Sequence, residues 1–119
     1  MTARIRCERG SGSILVVAIM AGVLGMVALV SPLWVVLVAR SHLAAAADSA
    51  ALAAADVAVG RTPGQPCDSA AMVARANDAT LLACEADGLI VTVLAEGRVL
   101  GFSLVAAATA GPASSAHPG

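Results

Sequence analysis

The chain has 119 residues, enough for one small domain. Hydrophobic residues make up 59% and charged residues 13%, about half of the roughly 25% charged content usual for soluble domains, which argues against an ordinary soluble globule. Net charge is −1 and the only aromatics are Trp34 and Phe102, so there is neither a basic field for nucleic acid nor a platform on which bases could stack.

Residues 1–10 form a basic leader carrying Arg4, Arg6 and Arg9, with Glu8 its one acid. Gly10, Ser11 and Gly12 follow, and no charge appears from Ile14 to Ala39, a run of 26 residues. A bilayer needs roughly 20 apolar residues, whereas the apolar part of a secretory signal is usually about 7–15. The run therefore reads as a retained transmembrane helix at 14–39, with a cleaved signal peptide as the alternative. Three arginines precede it, while Arg40 and then the acids Asp48 and Asp56 follow. The positive-inside rule puts the N-terminus in the cytoplasm and the C-terminal region outside. Ala18, Ala21, Gly22, Gly25 and Ala28 are small and recur at helical spacing. Such a stripe would let a second helix approach closely in lipid; plain abundance of alanine and glycine is the competing explanation. Pro32 predicts a kink.

Beyond Arg40 the alanine-rich stretch 41–59 continues the helix, because alanine is the strongest helix former. One helix is predicted over 11–59, regular from about Ser13 to Val59. Leu43, Ala47, Ala50, Ala54 and Val57 mark one face, Asp48 and Asp56 another. So thin an apolar face is expected to need partner subunits rather than to anchor a core. Gly60 is the expected C-terminal cap and Pro63 blocks resumption.

Residues 60–110 read as a small extracytoplasmic α/β region. GRTPGQPCD at 60–68 is a loop. Asp68 or Ser69 can cap a short helix reaching about Ala79, with Ala71, Met72, Ala76 and Ala79 on one side. Leu82, Cys84 and Ala86 then alternate as a strand, Asp87-Gly88 signals a hairpin, Ile90–Leu94 is a second strand, Glu96-Gly97-Arg98 a second turn, and Val99–Ala107 a third strand. The expected fold is α+β: a long helix, a short helix and a three-stranded antiparallel meander over 81–108. Residues 111–119, GPASSAHPG, read as a disordered tail.

Cys67 and Cys84 fall on the side where disulfides persist, and a bridge between them would staple a small core; two unpaired thiols are the other possibility. Cys7 lies on the cytoplasmic side. His42 and His117 are far apart, no serine has a partnered base, and no zinc spacing occurs, so neither an enzyme nor a cofactor is indicated.

A basic leader ending in Arg-Gly, an apolar helix directly after it, the ladder AAAADSAALAAADVAV and the cysteine pair together resemble the TadE/TadG-like proteins of Flp (tight-adherence) pilus systems. The similarity is nearest to the short actinobacterial TadE-like proteins of the helicase–secretion neighbourhood group, over about residues 8–110. The resemblance implies a pilin-like fold and a membrane-inserted minor pilin or pseudopilin. It implies cleavage between Gly10 and Ser11 by a prepilin peptidase, and partnership with other pilin-like subunits and secretion machinery. Leu15 occupies the position where many relatives carry a glutamate five residues after the cut, which points to a tip, initiating or accessory role rather than a major subunit. Pro32 falls where type IV pilins often have a proline. A secreted effector and a membrane accessory that never enters a filament are the competing functions.

Overall fold

The computed structural model of the chain describes the backbone of residues 3–113, and side chains from residue 10 onward. Helix α1 spans Ala3–Ala58, α2 spans Pro66–Ala76, and strands β1 (Thr80–Asp87), β2 (Ile90–Val99) and β3 (Phe102–Ala110) form one antiparallel sheet in the order β1-β2-β3. The fold is α+β, as expected. The chain divides into two units, residues 1–36 and 37–119.

Helix α1 starts earlier than expected: Gly10, Ser11 and Gly12 are helical rather than extended, and the helix runs on through Pro32. It ends where Gly60 enters the left-handed region at φ +81°. There the Gly60 amide donates to the Val57 carbonyl and the Arg61 amide to the Asp56 carbonyl, satisfying carbonyls that the last turn leaves open. Helix α2 ends the same way one residue past Asn77. Asp78 takes φ +58°, its amide donates to the Arg75 carbonyl, and the Ala79 amide donates to the Ala74 carbonyl. That reversal stops α2 at Ala76, short of the expected Ala79. At its other end Pro66 occupies the first turn, where a missing N–H costs nothing. Asp68 is not the cap but lies inside the first turn, where its charge complements the helix dipole.

The head, residues 37–113, is built on the alanine ladder. Leu43, Ala46, Ala47, Ala50, Ala51, Ala54, Ala55 and Val57 are buried on α1, and the first seven join one core with Ala70 and Ala74 of α2, Ala79, and Val91, Val93, Ala95, Ala108 and Ala110 of the sheet. The expected face 43/47/50/54/57 is therefore the buried one. The expectation that it needs partner subunits is corrected: α2 and the sheet cover it. Alanine side chains are short, so backbones must come close. Gly97 shows how close, since a Cβ there would lie 3.2 Å from Leu43 Cδ1.

Gly97 is consequently not a turn residue. Strand β2 runs straight through Glu96-Gly97-Arg98, and the second turn falls at Leu100-Gly101, both with positive φ, 51° and 81°. This is the two-residue loop whose twist suits a hairpin, normally filled by Asn-Gly or Asp-Gly. A leucine in the left-handed region costs on the order of 1 kcal/mol or more. The first turn is Gly88-Leu89, with Asp87 already paired to Ile90, so it sits one residue later than Asp87-Gly88 suggested.

The inward set of β1 also differs from the expected Leu82, Cys84 and Ala86. The register slips between Leu81 and Ala83, and a bulge of this kind lets two residues oppose one. Leu81 and Cys84 pack on the core, while Leu82 and Ala86 are exposed. Strands β2 and β3 keep strict alternation, with Val91, Val93 and Ala95 facing Ala106, Ala108 and Ala110. On the outer face the Thr92 and Thr109 hydroxyls share a hydrogen bond of 3.0 Å.

Cys67 and Cys84 form a disulfide with a Cα separation of 5.7 Å. It joins the first turn of α2 to the middle of β1 and selects the face that α2 presents. Residues 67, 70 and 74 share one side of a helix, and Ala70 and Ala74 are the buried pair. The expected face of Ala71, Met72 and Ala76 is turned away, with Met72 69% exposed; only Ala79, beyond the helix end, is buried as anticipated. The Ser69 hydroxyl donates to the Ala53 carbonyl at 3.5 Å, tying α2 to α1.

Two outcomes check this packing. In detergent, Cys67 and Cys84 should alkylate only after reduction, and the Cys67→Ser, Cys84→Ser double variant should lose roughly 2–4 kcal/mol of unfolding free energy. Gly97→Val, which drives a branched side chain into Leu43, should lose roughly 1–3 kcal/mol in the same denaturant titration, whereas a substitution at the exposed Met72 should be near neutral.

Candidate functional site

Asp48 is exposed, Asp56 forms an exposed 3.4 Å ion pair with Arg61, and His42 is exposed. Among the described residues no three His, Cys, Asp or Glu side chains gather where a metal could bind. His117 lies outside the described residues, as do the side chain of Cys7 and residues 114–119 of the tail.

The unexplained surface belongs to the N-terminal unit. Its helix includes an 18-residue window of mean hydropathy 2.7, none of it buried. Ile14, Leu15, Val16, Val17, Leu24 and Leu29 all stand exposed. Water would penalise such a cylinder at about 25 cal/mol per Å² of apolar surface. A helix uses up its own backbone hydrogen bonds, so hydrocarbon accepts it. This helix is long and apolar enough to cross a membrane.

Ala18, Ala21, Gly22, Gly25 and Ala28 lie together on this unit, all exposed. A Cβ added at Gly22 or Gly25 meets nothing within 4 Å. The stripe is therefore a shallow, unfilled strip of the helix surface. Nearby, Met26, Val27, Val30, Ser31 and Trp34 border a hollow of about 280 Å³. An indole suits the boundary between lipid and water because its ring is apolar and its N–H polar.

Gly10 and Ser11 are exposed and helical, and the Ser13 hydroxyl donates to the Gly10 carbonyl at 3.3 Å. The bond between them lies inside the helix. This corrects the expectation that the helix begins after it. The turn is nonetheless inexpensive to unwind, since Gly10 and Gly12 each weaken a helix by about 1 kcal/mol relative to alanine.

No family model, curated protein or solved structure matches the chain.

The ladder of α1 is not a surface for partners, because Ala46, Ala47, Ala50, Ala51 and Ala54 are at most 2% exposed. Sequence reasoning missed three features of the head: the packing role of Gly97, the bulge at Leu82 and the apolar β2–β3 tip. The Leu100-Gly101 pair was the available signal for the tip, outweighed by the polar Glu96-Gly97-Arg98. For the stripe, Gly22→Leu should leave the helix content and detergent melting of the isolated chain unchanged or slightly raised, since leucine has room there and favours helix by about 0.8 kcal/mol over glycine; circular dichroism measures this.

Proposed function

We propose that the chain is a membrane-inserted minor pilin or pseudopilin-type subunit of a Flp (tight-adherence)-like pilus or secretion system, of the TadE-like kind. One observation carries the reading. A single helix, α1, supplies both an uncovered apolar segment bearing a small-residue stripe and, after Arg40, the buried alanine ladder of a small α+β head. Such a subunit enters lipid through residues 14–39, with its leader in the cytoplasm and its head outside. It meets other pilin-like subunits along Ala18, Ala21, Gly22, Gly25 and Ala28.

Its role is structural rather than catalytic. The disulfide supports an extracytoplasmic head, because such bonds persist in oxidising compartments. Cleavage by a prepilin peptidase between Gly10 and Ser11 would leave Ser11 as the new terminus, close to the membrane. Leu15 offers no carboxylate to pair with a neighbouring amino group, and an unpaired charge in lipid is costly. That favours a tip, initiating or accessory subunit over a repeated one.

Mass spectrometry of the membrane form tests this. A mature chain beginning at Ser11 is expected. An N-terminus beyond Ala39 would instead indicate a secreted effector, and an intact Met1 or Thr2 a plain anchor. In cells expressing the whole secretion cluster, Gly22→Leu should abolish cross-links to partner subunits without reducing insertion; unchanged cross-links would remove helix packing as the mechanism.

A further inference from the structure

We propose that the β2–β3 hairpin tip, Leu100–Phe102, is a second membrane contact that enters the headgroup region of the bilayer into which α1 passes. The inference rests on residues 14–39 spanning a bilayer, and not on the pilus reading.

Gly97 of β2 abuts Leu43. Thr109–Gly111, opposite the start of β2, border a hollow with Asp48 and Leu52, and Gly111-Pro112 border another with Ala55, Asp56 and Val59. Strand β2 therefore runs antiparallel to α1, from the level of about Leu52 back toward Leu43. Leu100 lies three residues past Gly97, about 10 Å at strand rise. Leu37 lies six residues before Leu43, about 9 Å at helix rise. The tip therefore reaches the level of Leu37 and Val38, two exposed residues just before the end of the uncharged segment at Ala39, which belong to the same unit as the head.

Phe102 ends the row Leu104, Ala106, Ala108 and Ala110 that faces the core, yet is 72% exposed, and Leu100 is 62% exposed. Leu100 also occupies a left-handed turn position that asparagine or glycine would fill with less strain. Its side chain returns nothing to the core, and a strained residue with no internal benefit points to an external one. Arg98 and Arg40 flank this end, and neither has an ion-pair partner among the described residues; Asp78 and Glu96 border a hollow beside Arg98. Guanidinium groups at this level suit lipid phosphates. The opposite hairpin end carries Glu85 and Asp87, and Arg61 at the end of α1 is engaged by Asp56. Apolar tip and cations thus coincide at the Leu37 end of this unit, and an anionic surface would repel the other end.

The experiment uses the full chain in vesicles of phosphatidylcholine and phosphatidylglycerol, with a doxyl quencher high on the acyl chains. Phe102→Trp in a Trp34→Phe background should give blue-shifted emission, quenched by the doxyl lipid and shielded from aqueous iodide. Leu89→Trp in that background, at the other hairpin, should be quenched by iodide alone. Leu100→Asn should keep or raise the melting temperature in detergent while reducing lipid quenching of the Phe102→Trp indole. If native Trp34 is quenched by lipid but the Phe102→Trp indole answers only to iodide, the inference is overturned and the spanning segment stands. If neither is quenched by lipid, the spanning reading fails and takes the inference with it. A blue shift that disappears on dilution with excess lipid would mean that the tip contacts a second copy, which also overturns the proposal.

Discussion

The head depends on one constraint: its core is made of methyl groups. Val91 and Val93 are the largest fully buried side chains, and most of the remainder is alanine. A buried methyl contributes roughly 0.8 kcal/mol, less than the roughly 1–2 kcal/mol needed to fix a residue's backbone. Such a core holds only if the elements come close enough for every methyl to be in contact. Leu43 is the one leucine among the buried residues of the core, and the sheet admits it by having no side chain at Gly97. The disulfide serves the same need by removing freedom from the unfolded chain, a stabilisation of about 3 kcal/mol for a loop of this length.

Alanine also reconciles two environments in one helix. Before Arg40, α1 presents leucine, isoleucine, valine and methionine on all sides, the composition that hydrocarbon accepts. After Arg40 its apolar face narrows to alanine, which protein can approach at short range, with Asp48 and Ser49 left in water. Ser49 returns a hydrogen bond to the Ala45 carbonyl at 2.8 Å, so its hydroxyl adds no unsatisfied group. The small residues Ala18, Ala21, Gly22, Gly25 and Ala28 stand exposed on the N-terminal unit.

Much of this was legible along the chain. A run of 26 uncharged residues, the ladder with its 43/47/50/54/57 face, Gly60 as a cap, and two hairpins are local patterns. They are visible because 3.6-residue and 2-residue periods and left-handed caps act over a few neighbours. The errors fell where a distant partner chose between local options. Either Gly97 or Gly101 could have turned the chain; Leu43, more than fifty residues earlier, needed the first as a gap. Either side of α2 could have faced inward; the bridge from Cys67 to Cys84 decided for Ala70 and Ala74.

Element types, their order and the apolar segment long enough for a membrane follow from local propensity and from summed hydropathy, and so could be read along the chain. Which faces are buried, where β2 ends, and the covering of the ladder by its own chain were settled by packing. Those outcomes depend on distances between residues far apart in sequence. In a core of alanines, a gap or excess of a single methyl is enough to settle them.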